Sequence, residues 1–238
     1  MIKTRSNSTA AALEAAVRQS EQTLREIPFY GRLLQGQVTR EEYSAWLAQL
    51  HKYVRYTETL ISQLAAAFAG ATDPQDVKMR DYALLEAKEE AFHDDLVIVD
   101  LSRLWDVSRA EARGRVELEA TAPAILTYSR LRETLLSRYP TAILGVAYAL
   151  ETISALHSDQ IRESLVQNSR IEGIQRATTF LKAHSGAIEG AHQAEAESRL
   201  ETLQTAADRA AAVAFGKVAL GMFEGIAFYL DQKFEQGA

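Results

Sequence analysis

Within the stretch FLKAHSGAIEGAHQAE, three residues able to hold a metal, His184, Glu189 and His192, fall inside nine positions. Imidazole nitrogens and carboxylate oxygens together suit a first-row metal such as iron or manganese. Glu189 and His192 form a Glu-x-x-His pair, the spacing by which facing helices of a bundle gather two metals. His184 and His192 are eight residues apart, about 80° out of register on a regular helix. One extra residue taken up as a π-bulge would bring them together, and Gly186 and Gly190 make the helix easier to distort there.

Two more stretches offer ligands of the same kind. In YALLEAKEEAFHDD, Glu86 and His93 are seven residues apart and leave a continuous helix within about 20° of each other. Glu89 and Glu90 also reach the face of His93, so which carboxylate serves there stays open. Read by itself, this stretch is more readily a solvated acidic face carrying an incidental histidine. Glu151 lies in AILGVAYALETISAL with no other charge nearby, and an ionised carboxylate in such surroundings is costly unless paired or metal-bound. Its bland alternative is a structural carboxylate held by Tyr or Arg. His51 and His157 have no carboxylate at ligand spacing and read as packing or substrate-contact residues. Glu224 reads as structural, and Tyr53, Arg55, Tyr56 and Glu58 cluster as candidates for a pocket wall.

The elements that would position these groups are helices. The chain has 238 residues, 47% of them hydrophobic, with Gly 12 and Pro 4, a composition that favours helix and supports one core. Apolar residues recur at three- and four-residue steps, and no alternating strand pattern is present. A first helix spans 8–34 with a kink or break at Pro28, and Thr39 to Glu42 is a capping box opening a second that runs towards Gly70. Asp73-Pro74 starts a third, running to Trp105, and Ser108 a fourth, interrupted by Pro123. The fifth, from Thr141 to Leu165, is apolar over its first half and should be the most buried. A sixth starts near Ile171 and runs into the His184–His192 segment, and the last spans about Asp208 to Phe234. The expectation is an all-α single domain, 1–238, of seven to eight helices.

Net charge is −6, which disfavours nucleic acid. The absence of cysteine excludes disulfides, thiolate ligands and a cysteine nucleophile. With no apolar signal core and no uninterrupted run of 18 apolar residues, a cytoplasmic protein with no membrane partner is expected.

The chain resembles the heme-oxygenase-like family, whose core is a seven-helix bundle. LREIPFYGRLLQGQVTREEYSAWLAQL looks like the first helices of heme oxygenases. Where those carry the axial histidine, however, this chain has Ser20-Glu21-Gln22, and the glycine-rich distal helix is replaced by LHSDQIRESL. The resemblance thus implies no heme. It is closer to the non-heme branch, the diiron oxidases and oxygenases, whose pattern is Glu-x6-His, a lone Glu, then His-x3-Asp-x2-His. Glu86 and His93 match the first element, Glu151 the second, and Glu189 and His192 the end of the third with Glu for Asp. His184 stands one residue before the family's position, which falls on Ser185.

That resemblance implies two Fe(II) ions held by Glu86, His93, Glu151, His184, Glu189 and His192, with O₂ as co-substrate. It also implies oxidation or oxygenation of a small, amino-acid-derived substrate in a biosynthetic pathway. A homodimer is compatible with the fold. The alternative is a metal-free helical binding or scaffold protein that keeps the fold.

Overall fold

The computed structural model describes residues 8–55 and 57–235, apart from the side chains of Glu58, Leu135, Leu136, Ala187 and Glu189. Among the described residues the chain forms twelve α-helical segments and no strand. They are α1 (Thr9–Glu26), α2 (Pro28–Leu34), α3 (Arg40–Val54), α4 (Thr57–Ala67), α5 (Pro74–Glu89) and α6 (His93–Trp105). There follow α7 (Arg109–Leu118), α8 (Pro123–Arg138), α9 (Ile143–Asn168), α10 (Thr179–Ala183), α11 (Gly186–Leu200) and α12 (Ala206–Glu235).

Local chemistry sets many of these boundaries. Ser8 caps α1 through its side chain, and Thr39 and Glu42 form the reciprocal capping box of α3. Pro28, Pro74 and Pro123 each occupy the first position of a helix, where a missing N–H costs nothing. The expected seven to eight helices are therefore cut into shorter segments. Some cuts carry no proline: α3 ends at Val54 and α4 starts at Thr57, α5 gives way to α6 at 90–92, and α10 to α11 at His184–Ser185.

The expected central helix is α9, but it is not the most buried: α3 buries 12 of its 15 residues and α9 12 of its 26, because one flank of so long a helix reaches solvent. It packs against α11, α12 and α1, and it buries Leu144, Ala149, Ile153, Ile161 and Leu165. Gly145 sits where α9 crosses α12, and a Cβ there would overlap the backbone of Ala212. Two helices thus approach more closely than any side chain would allow. α3 packs on α6, α4 on α5, and α8 on α12, closing the bundle over a core that includes Leu13, Leu24, Phe29, Tyr43, Leu47 and Leu101.

By length and composition α12 is apolar enough to cross a membrane, although its charged residues interrupt any purely apolar run. In this fold Ala211, Ala212, Ala219, Leu220 and Ile226 of α12 are buried in the bundle. Asp231 ties its far end to α2 by accepting the Phe29 N–H at 2.7 Å.

Candidate metal and substrate site

The break between α5 and α6 shapes the site. Glu90 caps α5, its N–H reaching the Glu86 carbonyl at 2.8 Å, and Phe92 then takes a left-handed backbone with φ 69°. That turn folds His93 back on Glu90, so that its Nδ1 donates to Glu90 Oε2 at 3.0 Å. The expected continuous helix, with Glu86 and His93 on one face, is therefore not what forms. The partner of His93 is Glu90, one of the carboxylates the sequence leaves open.

The other two histidines come from the opposite side. His184 ends α10, and its ring meets the His93 ring at 4.8 Å between centroids. His192, on α11, places Nε2 3.8 Å from Glu89 Oε2. The eight-residue spacing of His184 and His192 is reconciled by a full helix break rather than by the expected π-bulge. The chain leaves helix at His184, extends at Ser185, and restarts at Gly186, whose N–H donates to Asp159 Oδ2 at 2.9 Å.

Electrostatics mark Glu90 as the hub. Burial would raise its carboxyl, but the His93 hydrogen bond holds it below its ordinary value. Glu86 is buried, and desolvation, followed by the charges of Glu89, Glu90 and Glu195, pushes its carboxyl up to about 8. Burial lowers His184, which keeps the imidazole neutral at neutral pH. Its Nδ1 can only donate to the Phe180 carbonyl, at 2.9 Å, so Nε2 carries the lone pair. A backbone carbonyl that fixes the tautomer in this way is the usual support of a ligating histidine. Glu151 projects from α9 onto the same cavity as Glu86, Glu90 and His184. Glu189 lies on α11, and its side chain falls outside the described residues.

As a donor set these residues fit iron: three imidazoles and three carboxylates, with one histidine already in its ligating tautomer. Among the described residues, no group of three or more His, Asp or Glu side chains is gathered closely enough to hold an ion as it stands.

The cavity beside this cluster follows α9 from Ile143 to Ile161, about 27 Å of helix. Its wall is mainly apolar, with Trp46, Leu50, Leu60, Leu64, Leu150 and Ile153. Tyr53 also lines it, stacked edge-on between Tyr128 and Phe223 with ring centroids 5.9 Å away in each case. Of the rest of that predicted cluster, Arg55 pairs with Glu117, while Tyr56 and the Glu58 side chain lie outside the described residues. Arg132 adds a cation to the wall, and Tyr30 and His157 add a hydrogen-bonded pair. His51 is buried away from the cavity, 3.7 Å from Asp94, and burial pushes it down to about 4. Tyr30, Tyr82 and Arg132 stand at no ligand spacing in the sequence, so only the fold reveals that they line this cavity.

No family model matches the chain, and no curated protein does. Solved structures do. A domain of unknown function with a heme oxygenase-like fold from Shewanella denitrificans aligns at TM-score 0.78 and 18% identity, covering 94% of this chain and 92% of that one. A TenA homologue from Pseudomonas syringae aligns at TM-score 0.75 and 14% identity, covering 94% and 93%. Heme oxygenase-1 from the cyanobacterium Synechocystis, in complex with heme, aligns at TM-score 0.68 and 14% identity, covering 97% and 95%. Alignments this complete at such low identity speak to architecture: the chain has the heme-oxygenase-like fold.

Proposed function

We propose that the chain is an oxygen-activating non-heme diiron oxidase or oxygenase acting on a small, amino-acid-derived substrate. The observation that carries this reading is the meeting of His93, hydrogen-bonded to Glu90, with His184 at 4.8 Å between ring centroids, beside a mainly apolar cavity that Glu86, Glu90, Glu151 and His184 line. Glu86, His93, Glu151, His184, Glu189 and His192 would hold the ions, with Glu90 competing with Glu86 as a ligand. Bound ferrous ions supply the activation of O₂.

The chain's own residues do the rest. Glu90 keeps its negative charge because His93 donates to it, and it fixes the His93 ring by accepting from Nδ1. His184 presents Nε2 because Phe180 holds the Nδ1 proton. A proton on Glu86 near neutral pH would be displaced as a cation binds, so binding there should release acid. The apolar wall excludes water, and Arg132 suits the carboxylate of an amino-acid-derived substrate.

A metal-free binding protein is the second reading, and one observation favours it: the described donors do not close into a three-ligand group. Anaerobic Fe(II) titration with chelator competition separates the two. Near two irons per chain, with at least one lost in His184→Ala, supports the diiron reading. A chain that binds Fe(II) no better than a His93/His184/His192 triple-alanine variant overturns it.

A further inference from the structure

Away from the carboxylate cluster, the cavity wall carries a second polar group that the proposed chemistry leaves unused. Tyr30 on α2 and His157 on α9 both line the cavity, and the Tyr30 hydroxyl lies 2.9 Å from His157 Nδ1. The tyrosine is 3% exposed and the histidine 2%. On the other side of the imidazole, Nε2 faces Glu21 Oε1 of α1 at 3.9 Å. Glu21 is the surface end of this line, its side chain 28% exposed and held by Arg25 Nε at 3.0 Å.

Packing alone does not account for a histidine here. Satisfying the Tyr30 hydroxyl needs one acceptor, which any buried carbonyl would provide. His157 brings a second nitrogen, Nε2, that is buried and makes no hydrogen bond. Placing such a nitrogen out of water costs free energy that the static structure does not recover. Its orientation towards a carboxylate settles the tautomer. A lone pair aimed at Glu21 would be repelled, so the proton sits on Nε2 and the Tyr30 hydroxyl donates to Nδ1. The result is a consistent donor order with one gap, between His157 and Glu21: cavity, Tyr30 Oη–H, His157 Nδ1, His157 Nε2–H, Glu21, solvent.

We propose that Tyr30, His157 and Glu21 form a proton relay between the enclosed cavity and solvent. A donor in the cavity gives its proton to the Tyr30 oxygen as the Tyr30 proton passes to His157 Nδ1. The Nε2 proton then leaves to Glu21, which releases it to water. One proton crosses, no heavy-atom bond changes, and the imidazole ends with its proton on Nδ1. The same steps run in reverse to bring a proton in. The 3.9 Å gap exceeds a hydrogen bond, and the partly exposed Glu21 side chain closes it by a change of rotamer or through one bridging water. A histidine with one nitrogen on each side suits the middle position because it can accept on one while releasing from the other. The relay gives the cavity a proton path that does not open it to water. Its usefulness to catalysis rests on the cavity being a reaction chamber, but its existence does not.

The test therefore uses the metal-free protein and no substrate. In chain carrying ¹³C-labelled tyrosine, the deuterium isotope shift at the ring carbon bearing the hydroxyl reports how fast each buried hydroxyl exchanges with solvent. Tyr43 is the internal control: it is fully buried and donates to the Ala177 carbonyl at 3.0 Å, with no histidine beyond it. The Tyr30 hydroxyl should exchange at least about tenfold faster than that of Tyr43, although both are buried. Glu21→Gln and His157→Gln should each slow Tyr30 towards the Tyr43 rate while Tyr43 stays unchanged. If Tyr30 is as slow as Tyr43 in the unmodified chain, or keeps its rate in a folded Glu21→Gln variant, there is no relay. Either result leaves the iron titration to be judged independently.

Discussion

Glu90 and His51 show how a hydrogen-bonded partner decides whether a titratable side chain keeps its charge away from water. Glu90 is partly buried, its side chain 24% exposed, and keeps its charge because His93 donates to it. His51 lies deeper, with Asp94 at 3.7 Å but no hydrogen bond, and burial pushes it down to about 4. That depression has a consequence for stability. Between pH ~6.5 and ~4 the unfolded chain binds a proton at this position that the folded chain does not, so stability falls as pH drops through this window. His157, also pushed down to about 4, acts in the same direction. Denaturant unfolding at pH 7.5 and pH 4.5 measures the loss. In His51→Leu it should shrink by about 2 kcal/mol, since the group that titrates on unfolding is gone. An unchanged loss would mean that His51 titrates normally in the fold. Residue types and a family resemblance point to Glu86, His93, Glu151, His184, Glu189 and His192 as a candidate set, because carboxylates and imidazoles at helical spacing are visible in a sequence. The hub position of Glu90 was not visible, because it depends on a backbone turn two residues later.

Elements repeat this pattern. Helix starts were legible wherever chemistry marks them: the Thr39 capping box and the prolines at 28, 74 and 123 all stand at boundaries. The breaks that shape the site carry no such mark. Phe92 takes a left-handed backbone that a bulky residue adopts only at a cost, so periodicity runs straight through it. The cost is measurable. Phe92 is 71% exposed, so replacing it by glycine removes little burial while relieving the strain. Phe92→Gly should stabilise the chain by about 1 kcal/mol, the strain released exceeding the extra freedom of the unfolded chain. A lower melting temperature would show that the Phe92 ring packs more than its exposure implies. The crossing of α9 and α12 behaves in the opposite way. Gly145→Ala puts a methyl into the Ala212 backbone and should cost about 1–3 kcal/mol, read as an earlier unfolding midpoint with an unchanged denaturant slope. Nothing in AILGVAYAL distinguishes Gly145 from an ordinary small residue, because close approach belongs to the pair of helices.

At the scale of the molecule, the proposed donors come from segments distant in sequence. Glu86 and Glu90 belong to α5 and its end, His93 to α6, Glu151 to α9, His184 to the end of α10, and Glu189 and His192 to α11. Two of the three proline-free breaks named above, at 90–92 and 184–185, fall inside this set. A cation bound by residues on both sides of those breaks therefore joins α5 to α6 and α10 to α11 and fastens both pairs to α9. Anything that binds only the folded state stabilises it by mass action, by about 2.7 kcal/mol at a hundredfold excess over Kd. For a chain of this size that is about 5–10 °C in melting temperature. Anaerobic thermal unfolding with and without Fe(II) should show such a rise. It should be accompanied by slower amide exchange at 90–93 and 183–186, where the helices are interrupted. Glu90→Gln, which keeps the shape but removes the charge that His93 pairs with, should lose most of the rise. If Fe(II) leaves both the melting temperature and those amides unchanged, the donors are not drawn together by a cation. The cluster would then be the polar wall of a metal-free cavity, held in place by the Glu90–His93 hydrogen bond.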